Sequence, residues 1–356
     1  MRQLILVLIL LVITSGLSGQ SPDLGNFVES YVRDHNFSGT ILIKQNDRIL
    51  FHTSYGSAER QFNIPITNET RYKIASVTKI FTSVLIMQLK EKGKIDLDSS
   101  VKTYIPDYQG EGANLITIRH LLNHTSGLPY VGPKSKEDAI EKGMEEFQMP
   151  HTIDEAINKY YSHNLVNKPG EVFNYSNGDY IILGKVIENI CRKSYKEVLS
   201  QQILQPLNMS NSGILFQYNI VENLANSYYT MNDSSGLVND LPVYIQNWYS
   251  AGAMYSTTSD LSKFSIALFT GKLLKQESLR LLLSPGLDQY GFGLWIYDQE
   301  KNGKKHKVIK RPGDIMGTRS MFVYLPDEYL SVIILANTDS ADLDDFSYQI
   351  INQLVN

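Results

Sequence analysis

Residues 76–85 read Ser76-Val77-Thr78-Lys79-Ile80-Phe81-Thr82-Ser83-Val84-Leu85. Apolar residues recur here at helical spacing, and the pattern predicts an amphipathic helix over about 76–92 that stops at Gly93. On such a helix Ser76 and Lys79 lie one turn apart on the same face. The amine can then reach the hydroxyl, and the helix N-terminus favours negative charge that develops beside it.

Strand-like runs lie on both sides of this helix, toward the two ends of the chain. One predicted hairpin joins runs 39–44 and 48–52, and a second joins runs 320–325 and 330–336. Further strand-like runs lie at 291–297 and 307–310. Helical patterns occupy 24–35, 155–161, 180–191, 259–269 and 341–355, with Ser259 or Asp260 as the expected cap of the fourth.

This arrangement predicts an α+β fold, an α/β sandwich. One antiparallel sheet is built from both chain ends and flanked by helices, with a mostly helical insertion between them. We expect a sheet domain formed by 21–95 and 246–356 and a helical domain over 96–245. No internal repeat or low-complexity segment interrupts the pattern.

The N-terminus predicts export. Arg2 precedes ten apolar residues, 4–13, and a small, polar stretch follows at 14–20. This order is typical of a secretory signal, here 1–20, and places the mature protein in a periplasm or outside the cell. The alternative is an uncleaved anchor, although the apolar run is short for a bilayer. No cysteine follows the run, so a lipid anchor at that point is not expected.

Charge and cysteine content argue against a nucleic-acid partner and exclude stabilisation by an intrachain disulfide. The 33 basic and 37 acidic residues give a formal charge of -4, without a basic stripe that would indicate nucleic acid. Cys191 is the single cysteine, so no intrachain disulfide can form. Its place in an apolar helical pattern predicts a buried small hydrophobe.

The motif Ser-x-x-Lys occurs twice, and context separates the copies. The first, Ser76 to Lys79, opens the predicted helix, whereas the second, Ser99-Ser100-Val101-Lys102, lies in a polar connection. Ser76 can also be interpreted as a simple helix cap. A serine hydroxyl is a poor nucleophile until a base takes its proton, so a catalytic interpretation requires further residues.

Tyr175-Ser176-Asn177 supplies a candidate base. An unperturbed tyrosine has a pKa of about 10, too high for a base at neutral pH. Nearby cations stabilise the phenolate and lower that pKa, and Lys79 and Arg311 are the candidates. Asn177 is suited to orient Lys79 and to bind a substrate amide. A loop tyrosine packed on the core is the alternative.

A third motif, Arg311-Pro312-Gly313-Asp314, precedes a strand-like run. Gly313 lets a substrate approach the backbone closely, and the N–H one residue further can complete an oxyanion hole with the N–H of Ser76. A glycine-containing strand connection is the alternative.

The order of the three motifs resembles the serine β-lactamase and penicillin-binding-protein superfamily, in its class C-like branch. That branch includes class C β-lactamases, D-alanyl-D-alanine carboxypeptidases, D-aminopeptidases and related esterases. Stretches 118–129 and 250–257 also look like this branch, and the resemblance covers about 37–337. It implies a β-lactamase/transpeptidase-like fold, no cofactor, and a small-molecule or peptide substrate, of which peptidoglycan fragments are an example.

Carried over residue by residue, the resemblance implies that Ser76 is the nucleophile and that Lys79 and Tyr175 share the proton transfer. Asn177 would position Lys79 and the substrate. Gly313 would lie on the recognition strand, and the N–H groups of Ser76 and Asp314 would bind the oxyanion. Which member of the Lys79–Tyr175 pair removes the proton stays open, because the two titrate together.

The third motif departs from the pattern of this branch, which has Lys or His, then Thr or Ser, then Gly. Arg311 keeps the charge on a bulkier, planar group, and Pro312 removes both a hydroxyl and an N–H. The carboxylate of Asp314 would disfavour an oxyanion if it pointed inward. These changes favour a hydrolase of esters, amides or peptides over a true β-lactamase.

Two other functions compete with this prediction. A non-catalytic sensor or scaffold could keep the fold and bind a cell-surface ligand, as the altered third motif suggests. His120 and His124, four apart, could face one way as metal ligands, but the glutamate that a zinc protease needs is missing. Met316 and Trp295 could line a pocket or simply pack in the core.

Overall fold

The computed structural model describes residues 22–133, 135–231 and 236–355, so the predicted signal segment lies outside the described residues. The strands are β1 (Gly39–Gln45), β2 (Arg48–Tyr55), β3 (Ser57–Glu59), β4 (Ile64–Pro65), β5 (Tyr72–Lys73), β6 (Gly213–Ile214), β7 (Tyr228–Thr230), β8 (Leu237–Asn239), β9 (Met254–Ser256), β10 (Trp295–Lys301), β11 (Lys304–Ile315), β12 (Thr318–Leu325) and β13 (Leu330–Ala336).

The helices connect and cover these strands. They are α1 (Pro22–Asp34), α2 (Thr78–Glu91), α3 (Val101–Tyr104), α4 (Ile118–Leu122), α5 (Lys136–Lys142), α6 (Glu145–Gln148), α7 (Ile153–Tyr160), α8 (Asn177–Cys191), α9 (Tyr195–Leu199), α10 (Tyr249–Gly252), α11 (Thr258–Phe269), α12 (Gln276–Leu282) and α13 (Leu343–Leu354). Short 3-10 turns lie at Ala75–Val77, Glu111–Asn114, Ile245–Trp248 and Leu287–Gln289, and a π turn lies at Ser200–Leu204.

One six-stranded sheet forms the centre, in the order β10-β11-β12-β13-β1-β2. All of its neighbouring strands are antiparallel, and β1 pairs with β13 in the register Ile41↔Ile334. The first two strands of the chain therefore complete a sheet begun by the last four. This confirms the predicted α+β fold with an antiparallel sheet drawn from both chain ends.

Helices cover both faces of the sheet. On one face α1 packs on α13, where the rings of Tyr31 and Phe346 stack 3.9 Å apart. On the other face the Phe81 ring of α2 stacks 3.9 Å from the Phe264 ring of α11. Because β13 has cover on both sides, every one of its residues is buried.

Helix α2 is not amphipathic, contrary to the sequence prediction, because neighbouring elements surround it. Residues 78–87 are all buried, as expected for a helix that passes through a core. Two of its polar side chains find partners inside the protein: the Thr82 hydroxyl donates to Ser250 O at 2.7 Å, and Ser83 shares a 3.0 Å hydrogen bond with Tyr180.

Three predicted boundaries were wrong. The cap of α11 is Thr257, whose side chain accepts the Asp260 N–H, and neither Ser259 nor Asp260 takes that place. Strand β10 begins at Trp295, and 292–294 form bends before it. Strand β11 covers Lys304–Ile315, so the predicted run 307–310 was too short at both ends.

The division into a sheet domain and a helical domain at 95 and 245 stays a prediction. Short helices and loops fill 96–245, together with β6, β7 and β8. Across 22–133, 135–231 and 236–355, no helix combines the length and apolar character needed to cross a membrane.

Candidate active site

Ser76 lies in the 3-10 turn that leads into α2. The preceding residue, Ala75, has a φ of 45°, in the left-handed region that non-glycine residues rarely adopt. Such strain persists where the surrounding structure enforces it, and it is common beside functional groups. The turn presents Ser76 at the start of the buried helix, as the motif predicted.

Lys79 lies one turn along and is fully buried. Its ammonium donates to Ser76 Oγ at 3.0 Å, Asn177 Oδ1 at 2.8 Å and Ala251 O at 2.9 Å. Burial, opposed by Tyr175 and assisted by the nearby Arg311, lowers the pKa of Lys79 to about 8. The amine is therefore held against the hydroxyl with a pKa near neutrality.

Tyr175 approaches Ser76 from the N-terminus of α8, and the two hydroxyls share a 2.8 Å hydrogen bond. Ser176 caps this helix by accepting the Gly178 N–H, which fixes the backbone directly after the phenol. The ring of His124 packs beside the Tyr175 ring, with the two ring centroids 4.4 Å apart. The structure thus brings together Ser76, Lys79, Tyr175 and Asn177.

Arg311 joins the cluster from β11 and is 1% exposed. Its guanidinium donates to Ser76 O at 2.8 Å through Nε, to the Tyr290 hydroxyl at 2.9 Å through Nη1 and to the Tyr175 hydroxyl at 2.5 Å through Nη2. The planar fork thereby connects the backbone of Ser76 to the phenol that contacts its side chain.

The charges around Tyr175 reverse the usual effect of burial. Tyr180 and Tyr195 are also fully buried, and desolvation raises the pKa of each phenol. Burial acts on Tyr175 in the same direction, but Arg311 and Lys79 outweigh it and lower the pKa of Tyr175 to about 8. A phenolate is therefore accessible at this position.

Gly313 and Asp314 extend the site along β11, which lies against the Ser76 turn. A Cβ at position 313 would lie 2.6 Å from Ile74 O and 3.0 Å from Ser76 N, so only glycine permits this approach. The two-residue turn after Ile315 makes Asp314↔Arg319 a non-hydrogen-bonded pair, and the Asp314 N–H points away from β12. It faces the side where β10, which pairs with β11 only as far as Lys310, has already ended.

The same strand geometry decides the orientation of the Asp314 carboxylate. Alternation places Arg311 and Gly313 on the face of β11 that packs against Ser76 and the Asp314 side chain on the other face, where it still borders the cavity. There the carboxylate pairs with Arg319. The Asp314 carboxylate is therefore paired on the other side of the strand from Ser76, and Pro312 loses no ladder hydrogen bond because its nitrogen also faces past the end of β10.

Other candidates from the sequence have separate places. Ser99 hydrogen-bonds Asp96, and a four-residue helix, α3, begins at Val101, inside the second Ser-x-x-Lys copy. Cys191 is only partly buried, at the end of α8, so its prediction as a buried hydrophobe was too strong.

The two histidines do not face one way. Helix α4 ends before His124, whose φ of 57° turns the chain, while the His120 ring accepts the Thr117 N–H in a capping box. His124 Nδ1 lies 2.9 Å from Asp179 Oδ2, and both side chains are fully buried. Burial lowers the pKa of His124 and raises the pKa of Asp179, so both shifts favour neutral forms.

Sequence reasoning missed three groups at the site: the Tyr290 hydroxyl, the Ala251 carbonyl and the His124–Asp179 pair. Tyr290 follows a loop with no motif around it. Ala251 lies in the 250–257 stretch that carried the resemblance, and that stretch was the sequence signal available for this carbonyl. The pairing of His124 with Asp179 spans 55 positions and depends on tertiary packing.

A cavity of about 430 Å³ opens above Ser76. Ser76, Tyr175, Asn177 and residues 311–315 of β11 form its floor. Trp295 and Met316 also line the cavity, so these two side chains border the site, one of the two places that the sequence allowed for them. Among the described residues, no group of three or more histidine, cysteine or acidic side chains is placed to hold a metal ion.

Comparison with known proteins identifies the fold and its relatives. The family model described as "Beta-lactamase" matches residues 24–353. Penicillin-binding protein 4* of Bacillus subtilis is 28% identical over 330 residues, which cover 87% of this chain and 70% of that protein. For two further curated relatives the covered share of their length is 66% and 64%, so the chain spans about two thirds of the relatives it matches.

Solved structures of similar fold point to the same family. A penicillin-binding protein from Bacillus halodurans superposes with a TM-score of 0.78 at 28% identity, covering 92% of this chain and 99% of the other. A D-stereospecific amidohydrolase from Streptomyces superposes with a TM-score of 0.75 at 25% identity, covering 92% and 96%.

Proposed function

Because the chain belongs to the β-lactamase family, we propose that it is a serine hydrolase that acts through an acyl-enzyme on an ester, an amide or a D-amino-acid peptide. The observation that supports this most is the contact of one hydroxyl with two groups of lowered pKa: Ser76 Oγ lies 3.0 Å from Lys79 Nζ and 2.8 Å from Tyr175 Oη. The similarity to an amidohydrolase supports the same class of reaction.

In the proposed reaction Ser76 Oγ attacks the substrate carbonyl carbon and passes its proton to the Lys79–Tyr175 pair. The bond to the leaving alcohol or amine then breaks, and that group takes up the proton. Water attacks the resulting ester of Ser76 in the second half, so the carboxylic acid leaves and the hydroxyl of Ser76 is restored.

The N–H groups of Ser76 and Asp314 are proposed to stabilise the oxyanion that forms on the carbonyl oxygen. Two observations support this role: the glycine at 313 lets the backbone of β11 approach Ser76 N closely, and strand geometry directs the Asp314 N–H away from β12, to the side where β10 has ended. Asn177 holds Lys79 through its oxygen, which leaves its amide nitrogen available for a substrate carbonyl.

Covalent labelling tests the proposal directly. A fluorophosphonate probe is expected to add one equivalent to the protein, and peptide mapping should place it on Ser76 and leave Ser99 unmodified. A penicillin probe can be compared in the same assay. Absence of labelling, together with absence of p-nitrophenyl ester turnover, would favour the non-catalytic sensor or scaffold.

The pH profile provides a second prediction. Both candidate bases have a pKa of about 8, so kcat/KM is expected to rise with pH through that value and then level off. Arg311 lowers the pKa of Tyr175 and also that of Lys79. Arg311→Met should therefore move the rise to higher pH, while Arg311→Lys, which keeps a cation, should move it less. A profile unchanged in Arg311→Met would contradict this electrostatic role.

A further inference from the structure

The wall of the cavity opposite β11 is apolar and aromatic. Phe147 and Trp248 stack face to face, with ring centroids 3.7 Å apart and an angle of 5° between planes, and Met144 and Tyr130 line the cavity beside them. Backbone and amide hydrogen bonds hold this wall: Tyr244 N–H donates to Phe147 O at 2.8 Å. The surface is therefore formed before any substrate arrives.

The cationic side chains that line the cavity are already paired with protein groups. Lys136 donates to Asp339 at 2.9 Å and to Thr230 O at 2.8 Å, and Arg319 pairs with Asp314. Arg311, beneath them, uses all three of its nitrogens on the protein, as described above. Among the described residues that line the cavity, these cations are committed to protein acceptors.

Acidic residues extend beyond the rim. A groove continuous with the cavity passes Gly313 and Arg319 and is lined by the carboxylates of Asp339, Asp342 and Asp344. It runs from the third motif, where Pro312 stands in place of a hydroxyl, toward the start of α13. Lys136, Lys310 and Arg319 pair with Asp339, Asp344 and Asp314, which leaves Asp342 without an ion-pair partner among the described residues. A substrate carboxylate that reaches this groove would meet that excess negative charge and lose hydration without gaining an unpaired cation among the described residues.

We propose, resting on the hydrolase function above, that the site selects acyl donors with an aromatic or branched apolar acyl group and a leaving group that carries no carboxylate. The acyl group packs against Phe147 and Trp248, and the leaving group departs along the acidic groove. Neutral esters and amides are then substrates, while penicillins and peptides ending in a free D-amino acid react slowly.

Three esters test both parts of the inference. Phenylacetyl and acetyl esters of methyl glycolate differ only in the acyl group, and the phenylacetyl esters of methyl glycolate and of glycolate differ only in the carboxylate. We expect kcat/KM, followed by release of phenylacetate or acetate, to favour phenylacetyl over acetyl by at least about tenfold. The methyl ester should exceed the free acid by about tenfold, and added salt should shrink that difference.

Variants separate this inference from the proposed function. Trp248→Ala should remove most of the phenylacetyl preference, with the acetyl ester as the internal control for folding. Asp314→Asn releases Arg319 and should raise the ratio of free-acid to methyl-ester turnover. Equal turnover of all three esters would overturn the inference and leave the hydrolase proposal standing. No turnover of any ester, with no labelling of Ser76, would overturn both.

Discussion

Ser76→Ala is expected to lower kcat/KM for an activated ester by about 10⁴-fold or more, because no acyl-enzyme can form without the hydroxyl. The fold should survive the change. Lys79 keeps Asn177 and Ala251 O as acceptors, and the Tyr175 hydroxyl keeps Arg311. Steady-state kinetics and thermal melting, measured on the same preparation, test both statements.

Ser99→Ala is the matched control, since it removes a serine from the second copy of the same four-residue motif. It should react like the wild type. Turnover that persists in Ser76→Ala, or that disappears in Ser99→Ala, would show that the wrong serine has been assigned.

Tyr175→Phe is expected to lower kcat by about 10² to 10⁴-fold, the usual contribution of a positioned proton-transfer group. The variant keeps the ring and removes the hydroxyl that contacts Ser76 and Arg311. Tyr180→Phe is its control, because that buried hydroxyl bonds Ser83 and Leu122 O, away from Ser76. Single-turnover kinetics across pH are the measurement.

The opposite result would be equally informative. The Tyr175 phenol raises the pKa of Lys79, so its removal leaves more neutral amine at a given pH. If Tyr175→Phe stays active and its pH profile moves to lower pH, Lys79 alone removes the proton. That result would contradict the shared role proposed here.

Local pattern was enough to predict the central parts of the fold. The hairpins at the two chain ends, the helix after Ser76 and the closing helix all follow from periodicity and turn residues, which act over a few positions. The assembly of Ser76, Lys79, Tyr175 and Asn177 followed from the order of motifs. Their hydrogen-bond distances required the folded structure.

The failures come from effects that short windows do not contain. Pro312 and Gly313 resemble a strand break, yet β11 continues through them because β10 ends before Pro312 needs a partner. Alternation along that strand would also have placed the Asp314 side chain on the other face from Gly313. The helix at 78–91 seemed amphipathic because its polar residues find partners inside the protein, which only the tertiary structure reveals.

The burial of α2 ties the reactive residues to the global stability of the protein. Ser76 and Lys79 belong to a turn and helix whose residues 78–87 are all buried, so the backbone amides of that stretch are expected to open to solvent only when the core itself comes apart. Gentle warming or low denaturant cannot displace the nucleophile by fraying an edge. We therefore expect Ser76 to leave its position only when the whole protein melts cooperatively. A fall in turnover below the melting temperature would originate in the surrounding loops.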